Sequence, residues 1–228
     1  MSAIRLFVGS DHREQIGLHV FLESVWKHCK GPVEVTVLTP ALATSLGIDT
    51  DGTNSFTKLR FVVPYLCAFK GHALFVDGVD MLCRADLADL WSWRNWRFPL
   101  QVVKHDYRTQ HPKKYVGTDM EARNEDYPKK NQSSVMLFHC EAHEHRVLTP
   151  YFIDGQPGSY LHRFRWMDEE KVGELPKEWN HLVGEQDHDA AAKLVHYTLG
   201  IPGFSHYSTA PHSKEWKDTL KDSLRGMQ

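Results

Sequence analysis

Short apolar runs alternate along the chain with longer polar or amphipathic stretches. Ile4 to Val8 reads as a strand, closed by Gly9-Ser10-Asp11. A helix is predicted from about Glu14 to Lys27, and Gly31-Pro32 breaks it. Val33 to Leu38 alternates as a second strand before Pro40. Asn54-Ser55-Phe56-Thr57 supplies capping residues for a helix reaching Phe69, in which Pro64 imposes a kink or a late start. Ala73 to Val76 has the length and character of a strand buried on both faces. Ala85 to Trp93 places Leu87, Leu90 and Trp91 on one helical face, and Leu100 to Val103 is a further strand. Ser134 to Phe138 and Leu194 to Tyr197 read as late strands, and Ser213 to Leu224 as a polar amphipathic terminal helix. This alternation predicts an α/β fold with a mostly parallel sheet and helices on both faces.

Between these elements, His105 to Asn131 is polar and almost without periodicity. A connection that long inside a compact domain is usually a functional loop or lid. Tyr107, Lys114 and Tyr127 in it are candidate substrate contacts.

The most telling polar positions follow the run from Ala73. Asp77 and Asp80 close it, three residues apart, in Asp77-Gly78-Val79-Asp80. Ionised carboxylates are costly inside a sheet unless paired or bound to a metal, so the strand is expected to stop at Asp77. Both acids then sit at the strand's carboxyl end, where open α/β sheets bind ligands. Hard oxygen ligands at that place suit Mg²⁺ or Mn²⁺ carrying a diphosphate. Asp-Gly is also an ordinary turn dipeptide, so a plain surface turn is the competing reading.

Composition narrows the classes. Hydrophobic residues make up 41% of the 228, enough for a sizeable core, and the formal net charge of -2 offers no global field for nucleic acid or anionic membrane. No apolar run approaches the ~20 residues of a membrane span, and the polar Gly9 to Arg13 stretch comes too early for a signal peptide. The four cysteines are scattered without a C-x-x-C pair, which fits a reduced, cytoplasmic protein.

Taken in order, the motifs resemble the family 8 glycosyltransferases of the GT-A fold, the group that includes glycogenin and bacterial galactosyltransferases. Arg60-Phe61-Val62-Val63-Pro64 matches an R-x-x-x-P helix ahead of a D-x-D strand end at Asp77, and Asp86-Leu87-Ala88-Asp89-Leu90 matches D-L-x-x-L. Gln132 to Phe138, with Asn131 before it, resembles the family's N-[SA]-G-V strand. Leu175-Pro176-Lys177-Glu178-Trp179-Asn180 matches L-P-x-x-[WY]-N, and His196-Tyr197-Thr198-Leu199-Gly200 resembles H-[FY]-x-G. The likeness covers roughly residues 4 to 204. It implies a GT-A type nucleotide-diphospho-sugar transferase fold, a mostly parallel mixed sheet flanked by helices. The whole chain, 1–228, would be one such domain: 4–104 the nucleotide-sugar and metal half, 105–204 the acceptor-side half, 205–228 a tail helix.

The same resemblance implies a hexosyltransferase-like enzyme. It would move a sugar from a nucleotide-sugar donor, a UDP-sugar first, to an unidentified acceptor with retention of configuration. Asp77, Asp80 and His196 would hold Mn²⁺ or Mg²⁺, imidazole favouring Mn²⁺. Gly9, Asp11, Arg60, Asp77, Asp80, Ser133, Ser134 and Gly200 would form the donor pocket, with Arg60 also orienting the Asp77 loop. Asp168 and Glu169 fall roughly where the family places a pair near the sugar, though Trp166 to Glu170 also reads as a plain charged helix start. The acceptor would be a saccharide, a lipid-linked sugar or a protein. No stable nucleic-acid binding is expected, and the oligomeric state is open.

Three departures bear on this. The acid motif has one residue more than D-x-D, and Gly78 makes a compensating bulge easy. The family's lysine in K-P-W, which touches the donor diphosphate, is missing from Ile201-Pro202-Gly203-Phe204. Lys104, His105, Lys113, Lys114, Lys129 and Lys130 are the candidates to replace it, each also explicable as part of a solvated basic face. The aromatic that commonly follows the first Asp is His12 here. A catalytically idle relative that binds a nucleotide sugar or a glycan is therefore the alternative. A third reading is a metallohydrolase built on His139, His143 and His145, which lack the H-E-x-x-H order. Trp91, Trp93 and Trp96 offer either packing or a sugar platform.

Overall fold

The computed structural model describes residues 3–50 and 56–225. Asn54 and Ser55 of the expected cap lie outside them. β1 (Ile4–Gly9) passes through one 3₁₀ turn into α1 (Gln15–His28), and β2 (Val33–Leu38) pairs parallel with β1 along its length. The apolar pattern did not announce α2 (Pro40–Leu46), yet its signals are local. Thr39 accepts from the Leu42 N–H at 3.2 Å, Pro40 occupies the first turn and Gly47 closes the last. The helix expected to reach Phe69 is shorter. A 3₁₀ turn at Leu59–Val62 leads into α3 (Val63–Leu66), where Pro64 lies in the first turn and its missing N–H costs nothing.

β3 (His72–Val76) is buried throughout and parallel to β1. β4 (Met81–Cys83) follows the two acids. α4 (Leu87–Trp91) is capped by Asp86 and buries the three apolar side chains expected of it, each Leu contributing about 2 kcal/mol. After β5 (Leu100–Val102), the polar segment holds only a small antiparallel hairpin, β6 (Lys113–Lys114) with β7 (Ala122–Arg123). β8 (Val135–His139) precedes α5 (Pro150–Asp154) and α6 (Gly158–Leu161). β9 (Val172–Glu174), β10 (His181–Leu182), β11 (Leu194–His196) and α7 (Ser213–Arg225) complete the chain.

The main sheet has the order β2-β1-β3-β8-β5-β9. Its pairs are parallel except around β8, which runs against both β3 and β5. Successive residues serve opposite faces: Phe7 and Phe75 join one core with Phe61 and Phe138, while Leu6, Val8, Leu74 and Val76 join the other with Phe21 and Trp179. A second sheet, β10-β11-β4, stands beside it. Because β4 begins just after the acids, this second sheet delivers β11 to the carboxyl end of β3.

Candidate metal centre

β3 stops at Val76, and Asp77 stays tied to the neighbouring strand through its N–H to the Ser134 carbonyl at 3.0 Å. Gly78 then takes φ +72, a conformation open to glycine, while a side chain there would strike Val8. The Val79 N–H turns back to the Asp77 carbonyl at 2.8 Å, and the Met81 N–H to that of Gly78 at 3.1 Å. This compact reversal absorbs the extra residue of the acid motif. In β11, His196 stands opposite Met81, one residue beyond Asp80, and the Tyr197 N–H donates to the Asp80 carbonyl at 2.8 Å.

One ligand atom each from Asp77, Asp80 and His196 then lies within 4.8 Å of the others. It is the one such convergence of three His, Cys, Asp or Glu side chains among the described residues. All three are buried. Asp80 Oδ1 has no hydrogen-bond donor. Arg60 Nη1 stands 2.7 Å from Asp77 Oδ1, close enough to pair charges, but its N–H is not directed at that oxygen, which also lacks a donor. Buried carboxylate oxygens without donors are expensive, and a hard divalent cation satisfies them. The donor set of two carboxylates and an imidazole thus fits a cation such as Mn²⁺.

The surrounding groups hold these ligands in place. Arg60 is itself buried, donates to the Thr57 carbonyl and the Ser133 carbonyl at 3.1 Å each, and packs between the Phe56 and Phe75 rings. His196 Nδ1–H donates to Asn180 Oδ1 at 2.9 Å, leaving Nε2 toward Asp80 Oδ2 at 3.2 Å. The Asn180 amide donates in turn to the Asn131 carbonyl at 2.9 Å and to His105 Nε2 at 3.0 Å. Burial pulls the His196 pKa down, but Asp80 and Asp77 outweigh it and the net shift is upward. Burial raises the Asp77 carboxyl against the opposing field of Arg60. Burial lowers His105 and His162 to about 3, so both are neutral in the folded protein.

The cluster floors a polar pocket of about 520 Å³, its open mouth included. Ser133, Ser134 and Arg60 line it with the three ligands; so do Lys114, Tyr115, Asn131, His162 and Thr198. Tyr127 lines it too and is shared with a second pocket walled by His105, Tyr107, Arg108, Lys129 and Lys130. Other expected residues stand elsewhere. Gly9 is covered by the Phe56 ring, and Gly200 lies beneath Tyr207. Asp11 is buried and accepts from Arg13 at its backbone N–H, Nε and Nη2. Asp168 and Glu169 do not line the pocket: their side chains are 83% and 79% exposed, facing Lys171 and Lys129 respectively. Only a 3₁₀ turn forms at Glu169–Lys171 before β9, so no rigid element aims either acid inward.

Sequence reasoning did not assign Asn180, His162 or Tyr115 to the site. Asn180 had a signal, since it closes a motif already matched; His162 and Tyr115 reach the pocket through tertiary packing that no local pattern announces. The His139 to His145 stretch does not converge. His145 Nε2–H donates to the Pro99 carbonyl at 2.8 Å, while the His139 ring stacks on His72 at 5.0 Å.

The sheet order, with one strand reversed in a largely parallel sheet and the acids at a strand end, is that of the GT-A glycosyltransferase fold. Solved structures agree with it across nearly the whole chain. The WbbM bifunctional glycosyltransferase aligns with TM-score 0.65 at 14% identity, covering 96% of this chain and 50% of that one. Galactosyltransferase LgtC, solved with donor and acceptor sugar analogues, gives 0.61 at 12% identity and 96% of both chains. GlyE of Streptococcus pneumoniae gives 0.64 at 11%, covering 96% and 60%. The chain spans only half of WbbM and three-fifths of GlyE. No family model matches the chain. Protein CDI of Arabidopsis thaliana is 32% identical over 229 residues, covering 96% of this chain and 86% of that protein. The chain belongs to the family of Protein CDI.

Proposed function

We propose that this protein is a metal-dependent glycosyltransferase that moves a sugar from a nucleotide-sugar donor, a UDP-sugar first, to an acceptor with retained configuration. The observation that carries the reading is the convergence of Asp77, Asp80 and His196, with donor-less carboxylate oxygens, in an open pocket at the end of β3. Its fold is shared with glycosyltransferases, one of them solved with donor and acceptor sugar analogues. A divalent cation bound there would act as a Lewis acid on the diphosphate as negative charge grows on the leaving phosphate. Arg60 pairs its charge with the Asp77 carboxylate, and Asn180 fixes the imidazole with Nε2 toward the centre. Ser133, Ser134 and Thr198 bring hydroxyls to the pocket wall. The second pocket, reached past Tyr127, is the acceptor side in this reading. Asp168 and Glu169 receive no part in the chemistry. No helix among the described residues is long and apolar enough to cross a membrane, and acceptors of any solubility remain in view.

The test is thermal stability with Mn²⁺ and a panel of UDP-, GDP-, ADP- and CMP-sugars, each also without metal, followed by nucleotide release. Ligand binding to the folded state raises the melting temperature by mass action. A metal-dependent shift with one nucleotide class, lost in Asp80→Asn, and release of its nucleoside diphosphate on turnover are expected. A shift without turnover under any acceptor favours an idle binding protein. No shift with any donor overturns the reading.

A further inference from the structure

We propose that Lys114 is a catalytic residue of this pocket: it receives the diphosphate of the donor and holds it as it leaves. This rests on the nucleotide-sugar reading above. Lys114 ends β6 and enters the same pocket as Asp77, Asp80 and His196. Among the described residues its ammonium makes no ion pair within 4.0 Å. The ammonium lies over the Tyr115 ring, 5.1 Å from its centroid. Burial lowers its pKa, the field of Asp80 opposes this, and Lys130 adds to the lowering.

Charge balance says what completes it. Asp77 is answered by Arg60. A divalent cation on the three ligands would more than neutralise Asp80, leaving the centre positive. Lys114 then adds a second positive group to the same small pocket. Two cations in one partly desolvated pocket repel unless an anion joins them. A diphosphate carries enough negative charge to answer both.

The chemistry also asks for this charge. The C1–O bond to phosphate breaks and its electron pair stays on the phosphate oxygen. The acceptor oxygen bonds to C1, and the acceptor hydroxyl's proton passes to the departing diphosphate. An ammonium beside that oxygen stabilises charge that develops only as the bond breaks.

The fold supplies a reason for Lys114 to be placed there. The next residue, Tyr115, donates its N–H to the Leu199 carbonyl at 2.7 Å, three residues beyond the ligand His196. Val116 N–H donates to Tyr207 Oη at 3.0 Å. The Tyr207 ring occupies the space over Gly200 that any side chain would fill. Hairpin and metal ligand are thereby stitched to one segment, and Tyr207 acts as a positioning residue for Lys114.

The experiment titrates the full chain with Mn²⁺ alone, and with inorganic pyrophosphate at saturating Mn²⁺, by calorimetry. Lys114→Met should weaken pyrophosphate about tenfold or more while leaving Mn²⁺ affinity unreduced. Lys114→Arg should recover most of the loss, which also shows that the hairpin still folds. Tyr207→Phe should cost pyrophosphate about threefold, without touching Mn²⁺. Pyrophosphate binding equal to wild type in Lys114→Met overturns the inference and leaves the glycosyltransferase reading standing. An equal loss of Mn²⁺ affinity in that variant also overturns it, since Lys114 would then be shaping the metal centre. A wild-type protein that binds Mn²⁺ but neither pyrophosphate nor any nucleoside diphosphate overturns both.

Discussion

The ladder between β3 and β8 ends in two groups of titratable side chains, and only one of them is built to hold an ion. At one end Asp77 follows Val76, with Ser134 beside it and His196 arriving from the second sheet. At the other, His72 pairs with His139 across the same two strands. Both ends are rich in ligand types. At the acid end three ligand atoms converge, two oxygens lack donors, and an asparagine fixes the imidazole. At the histidine end the rings turn to each other. His72 and His139 stack 16° from parallel, and Trp96 stands edge-on to both at 4.4 and 4.6 Å. Density of ligand residues is thus a poor sign of a metal site; convergence of lone pairs on a shared open space is the useful one.

The sharpest break of this contrast is substitution at each end. Asp80→Asn should abolish measurable Mn²⁺ binding by calorimetry and, with it, sugar transfer. His139→Ala should leave both unchanged. If His139→Ala weakens Mn²⁺ as much as Asp80→Asn does, the two ends are not distinct and the metal assignment fails.

Acid separates them next. Burial holds His145 at about 4, against an ordinary value of 6.5, although its bond to the Pro99 carbonyl pulls the other way. Below pH 6.5 the unfolded chain takes up a proton that the folded one refuses, so stability falls as pH drops from 6.5 toward 4. Above 6.5 the group contributes nothing. The full loss is about 3 kcal/mol for this histidine. His145→Gln, which keeps an N–H for Pro99 but cannot titrate, should flatten urea-derived stability across that window by about this amount. Asp77 has the opposite sign: its raised pKa means that the folded state gains on protonation. An unchanged pH slope in His145→Gln would mean that His145 is not the buried, neutral residue described.

Between these in the site's own logic stands Asn180. Asn180→Ala removes the acceptor for His196 Nδ1–H and frees the ring to turn. Partners of metal-bound histidines typically cost 10- to 100-fold in affinity when removed, so Mn²⁺ binding should weaken about 30-fold while Asp80 still ligates. A wild-type Mn²⁺ affinity in that variant would show that the imidazole needs no such support.

Much of the acid end was legible because its signal is local. A fully apolar run that stops at a carboxylate can be read without knowing the partners of Ala73 to Val76. His196 needed the family resemblance, since it lies 116 and 119 positions after Asp80 and Asp77 and nothing local selects it among 15 histidines. The reversed direction of β8 was not legible: Val135 to Phe138 is apolar on both faces, and such a strand looks the same parallel or antiparallel. β9 was hidden for a related reason. Val172-Gly173-Glu174 is short, one of its residues is exposed, and sheet pairing alone makes it a strand. α2 could have been read from Thr39-Pro40 and Gly47, had capping been weighed ahead of periodicity.

The smallest effect tests the histidine end from outside. Trp96 is 63% exposed, so removing it takes little from the core, and its edge contacts with two imidazoles amount to about 1 kcal/mol. Its effect on His72 should be larger than its effect on stability. Burial, with the nearby charge of His139 adding to it, holds His72 at about 4. Opening the Trp96 side to water should move that value upward toward 6.5, which imidazole proton shifts in NMR report directly. In Trp96→Ala, Mn²⁺ affinity at the acid end should stay at its wild-type value, because β3 separates the two groups and shares no ligand between them. A His72 that does not move would mean that Trp96 is not what keeps water from it. The low value would then come from strands β3 and β8 alone, and the exposed ring would have no packing role.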